Sequence, residues 1–102
     1  MTPEGKVEAY LKKRVAETGG RQRKLRWLCR RGAPDRFVWW PGPVDGPHLH
    51  FVEVKRPGGT THPLQTLEMG RLQNDGFNVH VVSSVADVDA FIEQVTSGLT
   101  DG

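Results

Sequence analysis

The sequence has a single cysteine, Cys29, and this scarcity limits what the chain can build. One thiol cannot form an internal disulfide or supply a Cys-based zinc cluster within one chain, so we expect a reducing, intracellular, cytoplasmic setting. No apolar run approaches the roughly 18 residues of a membrane span. The first residues, Met1-Thr2-Pro3-Glu4, also lack the apolar stretch of a signal peptide. These absences predict a chain with no membrane partner.

Other missing patterns narrow the chemistry further. The four histidines, at positions 48, 50, 62 and 80, do not show the ligand spacing of a His-based metal motif. The segment Gly58-Gly59-Thr60 is too short for a phosphate-binding loop, so we expect no nucleotide cofactor. The chain has 102 residues, of which 36% are hydrophobic, and no repeat or linker is visible. This predicts one domain over residues 1–102 with a thin core, which a partner subunit would help to stabilise.

The charges are divided unevenly along the chain. Residues 1–31 carry ten Lys and Arg against three Glu, a balance of +7, whereas residues 32–102 carry four against nine acids, a balance of −5. A basic segment of this kind is typical of a contact with a polyanion, although a solvated surface explains it equally well. The candidate DNA-binding residues are Lys12, Lys13, Arg21, Arg23, Lys24, Arg26, Arg30 and Arg31.

Hydrophobic periodicity and turn residues predict seven elements. The candidate N-caps of the helices are Thr2, then Thr61 or His62, then Ser84 with Asp87 three residues later. The predicted elements are a helix over Pro3–Glu17, strands over Arg21–Arg31, Asp35–Trp40 and Leu49–Lys55, a helix that starts near Pro63 and ends before Gly76, a strand over Phe77–Val82, and a last helix with a frayed tail over 96–102. The order α-β-β-β-α-β-α predicts an α/β (α+β) fold, a small mixed sheet flanked by helices.

Three residues of the predicted sheet suggest hydrolytic chemistry. Along the third strand, a period of two places Glu53 and Lys55 on one face and the neighbouring valines on the other. If the second and third strands are antiparallel neighbours, the Asp35 carboxylate lies beside that of Glu53. Two such anions require a proton or a cation between them, and Mg²⁺ prefers oxygen ligands, with the backbone carbonyl of Val54 as a third. Lys55 would then lie near a scissile phosphate.

Plain structural interpretations of these residues stay open. Asp35 could cap a turn while Glu53 pairs with Arg36 or Arg56. Gln65, in the first turn of the second helix, could bind water or phosphate, or could be an exposed polar residue. Glu8 could reach the metal site as an outer-sphere acid, or could pair with Lys12 four residues later.

Two adjacent tryptophans, Trp39 and Trp40, place one indole on each face of the second strand. We expect one of them in the core. The other could stack on a base or be buried in a dimer contact.

The segments Gly32-Ala33-Pro34-Asp35 and Phe51-Val52-Glu53-Val54-Lys55-Arg56-Pro57-Gly58-Gly59, with Gln65, resemble the VRR-NUC family of the PD-(D/E)xK nuclease superfamily. The resemblance implies a restriction-endonuclease-like core and phosphodiester hydrolysis that depends on Mg²⁺ or Mn²⁺. It implies Asp35 and Glu53 as metal ligands, Lys55 as the catalytic lysine and Gln65 as the active-site glutamine. Glu8 looks like the first-helix glutamate of the superfamily.

Stand-alone members of this size are similar to phage-encoded proteins that act as homodimers on branched DNA. The resemblance therefore implies a structure-selective DNA endonuclease, a homodimeric Holliday-junction resolvase from a phage or prophage. Two kinds of alternative remain. One is a nuclease that acts on flaps, nicks or ends of simpler DNA. The other is a non-catalytic protein, either a DNA-binding accessory module or an interaction protein that uses the Trp39-Trp40 strand.

Overall fold

The computed structural model describes residues 2–26, 33–41 and 48–100. Its elements are α1 (Pro3–Glu17), β1 (Arg21–Lys24), β2 (Arg36–Trp40), β3 (His48–Val54), α2 (Pro63–Asn74), β4 (Asn78–Val82) and α3 (Val85–Thr100). The order α-β-β-β-α-β-α confirms the predicted α+β fold. Among the helices of this described part, none is long and apolar enough to cross a membrane.

The four strands form one mixed sheet in the order β1-β2-β3-β4. Strands β1, β2 and β3 pair antiparallel, whereas β3 and β4 pair parallel. The parallel pair is possible because α2 carries the chain back across the sheet, as parallel neighbours require. The register places Arg36 of β2 opposite Val52 of β3 and so fixes which side chains share a face.

One face of the sheet packs against α1 and α3 and forms the hydrophobic core. Val52 and Val54 lie there, as the period of two predicts, and Trp40 lies beside them with only 1% of its surface exposed. The indole Nε1 of Trp40 donates to Thr18 Oγ1 at 3.0 Å, so its polar atom is satisfied inside the core. The rest of this cluster consists of Val7, Leu11, Val15, Val38, Val82, Val88, Phe91, Ile92 and Val95.

The helix starts follow the predicted caps closely. Thr2 Oγ1 accepts from the Gly5 amide at 3.0 Å, and the second cap is His62, not Thr61, because its Nδ1 accepts from the Leu64 amide at 3.1 Å. Ser84 Oγ accepts from the Asp87 amide as predicted. The Asp87 carboxylate, however, accepts from the backbone of Ser83, one residue earlier than a regular capping box.

The element ends differ from the prediction in a few places. The first strand ends at Lys24, although the Leu25 amide still donates to the Asp35 carbonyl at 2.7 Å. Strand β3 ends at Val54, one residue before Lys55. Helix α3 continues through residues 96–100. The predicted fraying concerns the motion of this tail and stays a prediction. Predictions for Trp27, Cys29, Arg30 and Arg31 lie outside the described residues, as do those for residues 42–47 and 101–102.

Candidate active site

The register brings the two predicted carboxylates to neighbouring positions. Because Arg36 pairs with Val52, Asp35 just before β2 lies beside Glu53 of β3. Asp35 is exposed, whereas Glu53 has only 6% of its surface exposed. Burial is the main cause that raises the pKa of Glu53, and the negative charge of Asp35 raises that pKa further. The site therefore holds one anion that is costly to ionise next to a second anion.

Lys55 partly offsets this cost. Its Nζ lies 3.2 Å from Glu53 Oε2, and this hydrogen bond and its charge lower the pKa of Glu53, as does a hydrogen bond from the Asp35 backbone. The net shift of the Glu53 pKa is still upward, so the lysine does not fully replace the water that burial removes. The predicted shared face of Glu53 and Lys55 is thus present, and both side chains are largely buried.

The structure joins Gln65 to this pair. Its Nε2 donates to Glu53 Oε2 at 3.1 Å, while its Oε1 accepts from the His62 backbone amide at 2.9 Å. The backbone amide can only donate, so it fixes the amide oxygen of Gln65 on its side and turns the NH₂ group towards Glu53. Gln65 therefore caps the helix and contacts the buried carboxylate at the same time. The interpretation of Gln65 as an exposed polar residue did not anticipate this contact.

The geometry also places the Val54 carbonyl towards this site. The Lys55 amide donates to the Val82 carbonyl of β4 at 2.8 Å, so by strand alternation the backbone groups of Val54 point towards β2. Continuing the register puts Pro34 opposite Val54, and proline has no amide hydrogen to offer that carbonyl. The Val54 oxygen thus points towards the start of β2, where Asp35 lies.

These donors fit a hard divalent cation. Two carboxylates and a backbone carbonyl are oxygen ligands, and Mg²⁺ is commonly held by one or two carboxylates with water completing the shell. Burial and the charge of Asp35 raise the pKa of Glu53, and a cation bound between the two carboxylates would lower it. Among the described residues no three His, Cys, Asp or Glu side chains converge as a metal group, so the Val54 carbonyl and water would have to complete the shell of a cation held by Asp35 and Glu53.

Glu8 lies on the other face of the sheet and binds a different partner. Arg36 follows Asp35 in the chain and therefore points to the core face, where its Nη2 donates to Glu8 Oε1 at 2.6 Å. Lys12 Nζ lies 3.5 Å from the same oxygen, so the open alternative of a Glu8–Lys12 pair is present. The interpretation that Glu53 pairs with Arg36 is wrong, because their side chains point to opposite faces.

The candidate DNA-binding residues divide between two surfaces. Lys12 and Lys13 are exposed on α1, where they pair with Glu8 and Glu17. The basic residues Arg21, Arg23, Lys24 and Arg26 are exposed on β1 or just after it. Of these, Arg21 and Arg23 pair in register with Trp39 and Phe37, so they share the sheet face that carries Glu53.

The same face carries an aromatic group that the sequence only partly predicted. Trp39 lies there, opposite to the buried Trp40, as expected for adjacent residues of a strand. The ring of Phe37 stacks on Trp39 with centroids 5.2 Å apart, and Arg23 Cζ lies 5.4 Å from the Trp39 ring. Asp35, just before β2, alternates with Phe37 and Trp39 along the chain. This spacing was the signal that could have placed all three side chains on one face of the sheet.

The α+β core thus brings two carboxylates, a lysine and a glutamine together where β2 starts and β3 ends, an arrangement that fits a nuclease-type domain. The sequence matches the family model of the VRR-NUC domain over residues 7–86. A solved structure described as a VRR_NUC domain is 41% identical, has a TM-score of 0.81, and the match covers 91% of this chain and 97% of that one. Among curated proteins the comparison gave no match. The chain belongs to the VRR-NUC domain family, whose members process DNA as nucleases.

Proposed function

We propose that this protein is a metal-dependent, structure-selective DNA endonuclease that acts as a homodimeric Holliday-junction resolvase. One observation carries the catalytic part of the proposal. Glu53, a buried carboxylate with a raised pKa, lies beside Asp35 and contacts both Lys55 and Gln65. A protein that only binds DNA gains nothing from two acids placed next to a phosphate backbone, because they repel it.

Each residue has a role that follows from its position. Asp35, Glu53 and the Val54 carbonyl would hold Mg²⁺ or Mn²⁺, which would supply the positive charge that activates water and stabilises the pentacoordinate phosphorus of the transition state. Lys55 places a cation 3.2 Å from Glu53, so it would lie near a phosphate bound at these carboxylates and balance the charge that develops on it. Gln65 donates to the same Glu53 oxygen that Lys55 contacts and, through His62, connects the position of this carboxylate to the start of α2.

Recognition of the DNA backbone is assigned to the exposed basic residues. Arg21 and Arg23 lie on the same face as the acidic pair, so a phosphate strand that they bind would pass the site. Contacts of this kind read the shape and charge of DNA and not its sequence, and their affinity falls steeply with salt. This supports selection by DNA structure.

The proposal of a homodimer rests on the symmetry of the proposed substrate. Resolution of a four-way junction requires two symmetric nicks, and a two-fold dimer presents two equivalent sites. Sedimentation equilibrium of the protein alone and with junction DNA tests this directly. A monomer in both conditions, with cleavage of flaps or nicked duplexes, would instead favour the nuclease of simpler DNA.

The central experiment is a cleavage assay on one labelled four-way junction, a flap, a nicked duplex and a linear duplex. Each is incubated with Mg²⁺, with Mn²⁺ or with a chelator. We expect cleavage with either metal, none with chelator, and faster cleavage of the junction than of the linear duplex.

Variants separate catalysis from binding. Glu53→Ala and Lys55→Ala are expected to abolish cleavage while DNA affinity changes little. The matched controls are Glu93→Ala and Lys6→Ala, an exposed acid and an exposed lysine outside the site, which should cleave as the wild type does. Full cleavage by both active-site variants would contradict the catalytic assignment, and binding without cleavage by the wild type under all metals would favour the accessory module.

A further inference from the structure

An apolar groove opens on the Glu53 face of the sheet, beside the acidic pair. It has a volume of about 320 Å³ and is lined by Leu25, Arg26, Phe37, Leu49 and Phe51. Phe37 lies two residues after Asp35 on β2, and Phe51 lies two residues before Glu53 on β3. Residues two apart in a strand are separated by about 7 Å, so the groove lies roughly one nucleotide from the acids.

The aromatic rings of this groove are arranged as a stack. Phe37 lies nearly parallel to Trp39, with 18° between the ring planes, and Arg23 covers the Trp39 ring. Phe37 therefore has a rigid ring behind it on the Trp39 side and borders the groove itself. Both rings keep part of their surface exposed, so the stack is accessible to a binding partner.

The charge around the groove indicates what covers it. Arg26 lines the groove, Arg23 lies beside it, and both are exposed. A second copy of this chain placed on the groove by a two-fold axis would bring the arginines of both copies together, which is unfavourable. A polyanion with flat apolar groups satisfies both the rings and the guanidinium groups, and single-stranded DNA has that chemistry.

We propose that this groove holds an unpaired nucleobase of the DNA substrate, stacked against Phe37, while Arg23 and Arg26 contact the adjoining phosphates. A base inside a duplex has neighbours on both faces, whereas an unpaired nucleotide can offer a face to the ring. The nucleotide bound in the groove is therefore one that the branch point of the DNA leaves unpaired, next to the scissile phosphate. This inference rests on the proposed nuclease function only in placing the groove next to a scissile phosphate. Binding of the base does not depend on cleavage.

The test measures binding without cleavage, in the presence of chelator. Fluorescence anisotropy compares a duplex that carries a short unpaired segment with a fully paired duplex of the same length. The adenine analogue 2-aminopurine, placed in the unpaired segment, reports stacking through loss of its fluorescence. The main variant is Phe37→Leu, which keeps apolar volume in the groove but removes the ring, and the matched control is Leu67→Ala, an exposed apolar residue of α2.

We expect Phe37→Leu to weaken binding of the unpaired DNA by about 5- to 100-fold and that of the paired duplex by less than about twofold. Quenching of 2-aminopurine by the wild type should be lost in Phe37→Leu and kept in Leu67→Ala. Arg26→Ala should weaken binding of both DNAs by the same factor. It should also reduce the salt dependence of the affinity by about the amount of one phosphate contact.

Two results would overturn the inference. One is an equal effect of Phe37→Leu on both DNAs, or no effect. The other is conversion of a dimer to a monomer by Phe37→Leu in sedimentation with DNA affinity unchanged, which would show that a second copy covers the groove. If the binding results hold but no metal supports cleavage of any substrate, the proposed nuclease function fails while the base-binding groove stands.

Discussion

Gln65 and Glu53 are joined by a hydrogen bond of 3.1 Å from the Gln65 amide to Glu53 Oε2, although they belong to different elements. The same Gln65 side chain accepts from the His62 amide at the first turn of α2. A local helix-capping interaction thereby holds the buried carboxylate in place. Changes at the helix start are expected to reach the active site by this route.

Replacement of Gln65 by Ala should lower both stability and activity. It removes one half of the capping box and one hydrogen bond to Glu53, and loss of a cap costs about 0.5–2 kcal/mol of unfolding free energy. The matched control is His62→Ala, which removes the other half of the cap and leaves the Glu53 contact in place. Urea unfolding should show a loss in both variants, somewhat larger in Gln65→Ala because it also loses the bond to Glu53, whereas single-turnover cleavage should fall much further in Gln65→Ala. Equal cleavage rates would assign Gln65 to the cap alone.

Glu53→Gln should make the protein more stable and inactive. Because burial and Asp35 raise the Glu53 pKa above its ordinary value of 4.5, ionisation of this group opposes folding. The stability it provides is present at low pH and is lost as the pH rises from 4.5 through the folded pKa. A neutral glutamine avoids that loss, and we expect a gain of about 0.5–2 kcal/mol at pH 7 in thermal unfolding. A loss of stability would show that the ion pair with Lys55 outweighs burial.

Divalent metal should stabilise the wild type and not the site variants. A ligand that binds only the folded state raises its stability by about 2.7 kcal/mol at 100 times its Kd. Addition of Mg²⁺ or Mn²⁺ should therefore raise the melting temperature of the wild type, and Asp35→Asn should abolish the rise. The control Asp75→Asn, an exposed carboxylate at the end of α2, should respond as the wild type does. A rise that survives Asp35→Asn would place the metal elsewhere.

Glu8→Ala should affect stability and leave metal binding unchanged. Its carboxylate is the anionic partner of Arg36, which has only 2% of its side chain exposed. Removing one partner of a fully buried ion pair costs about 3–5 kcal/mol, and we expect about 1–3 kcal/mol here because Glu8 is partly exposed. Denaturant unfolding measures this loss, and the metal-induced melting shift provides the second readout. A large loss of that shift in folded Glu8→Ala protein would support an outer-sphere role for Glu8.

Stability should also decrease on mild acidification because of a pair of histidines beside the hydrophobic core. His80 Nε2 lies 3.0 Å from His50 Nδ1, and burial lowers the pKa of His80 below its ordinary value of 6.5. The folded state thus favours neutral His80, so its stability is complete above pH 6.5 and falls as the pH decreases towards the folded pKa. Denaturant unfolding between pH 8 and pH 5 should show this slope. His80→Gln should flatten it, and an unchanged slope would exclude His80 as its source.

Much of the secondary structure followed from local patterns. The bounds of α1, the His62–Pro63 helix start and the alternating faces of β3 depend on residues close together in the chain, so periodicity and capping chemistry were sufficient. The neighbouring positions of Asp35 and Glu53 also followed, once the two strands were taken as an antiparallel pair. The end of β1 was less predictable, because strand length depends on pairing with β2 and not on composition.

The sequence by itself determined most of the elements and the faces of the strands, because these are consequences of spacing along the chain, and the family resemblance added the candidate site residues. Only the tertiary structure decided their partners. It paired Arg36 with Glu8 through the core face, turned Gln65 onto Glu53, and stacked Phe37 on Trp39 beside the acids. The physical reason is that burial and hydrogen bonding between distant segments depend on how helices pack on the sheet, which no local pattern encodes.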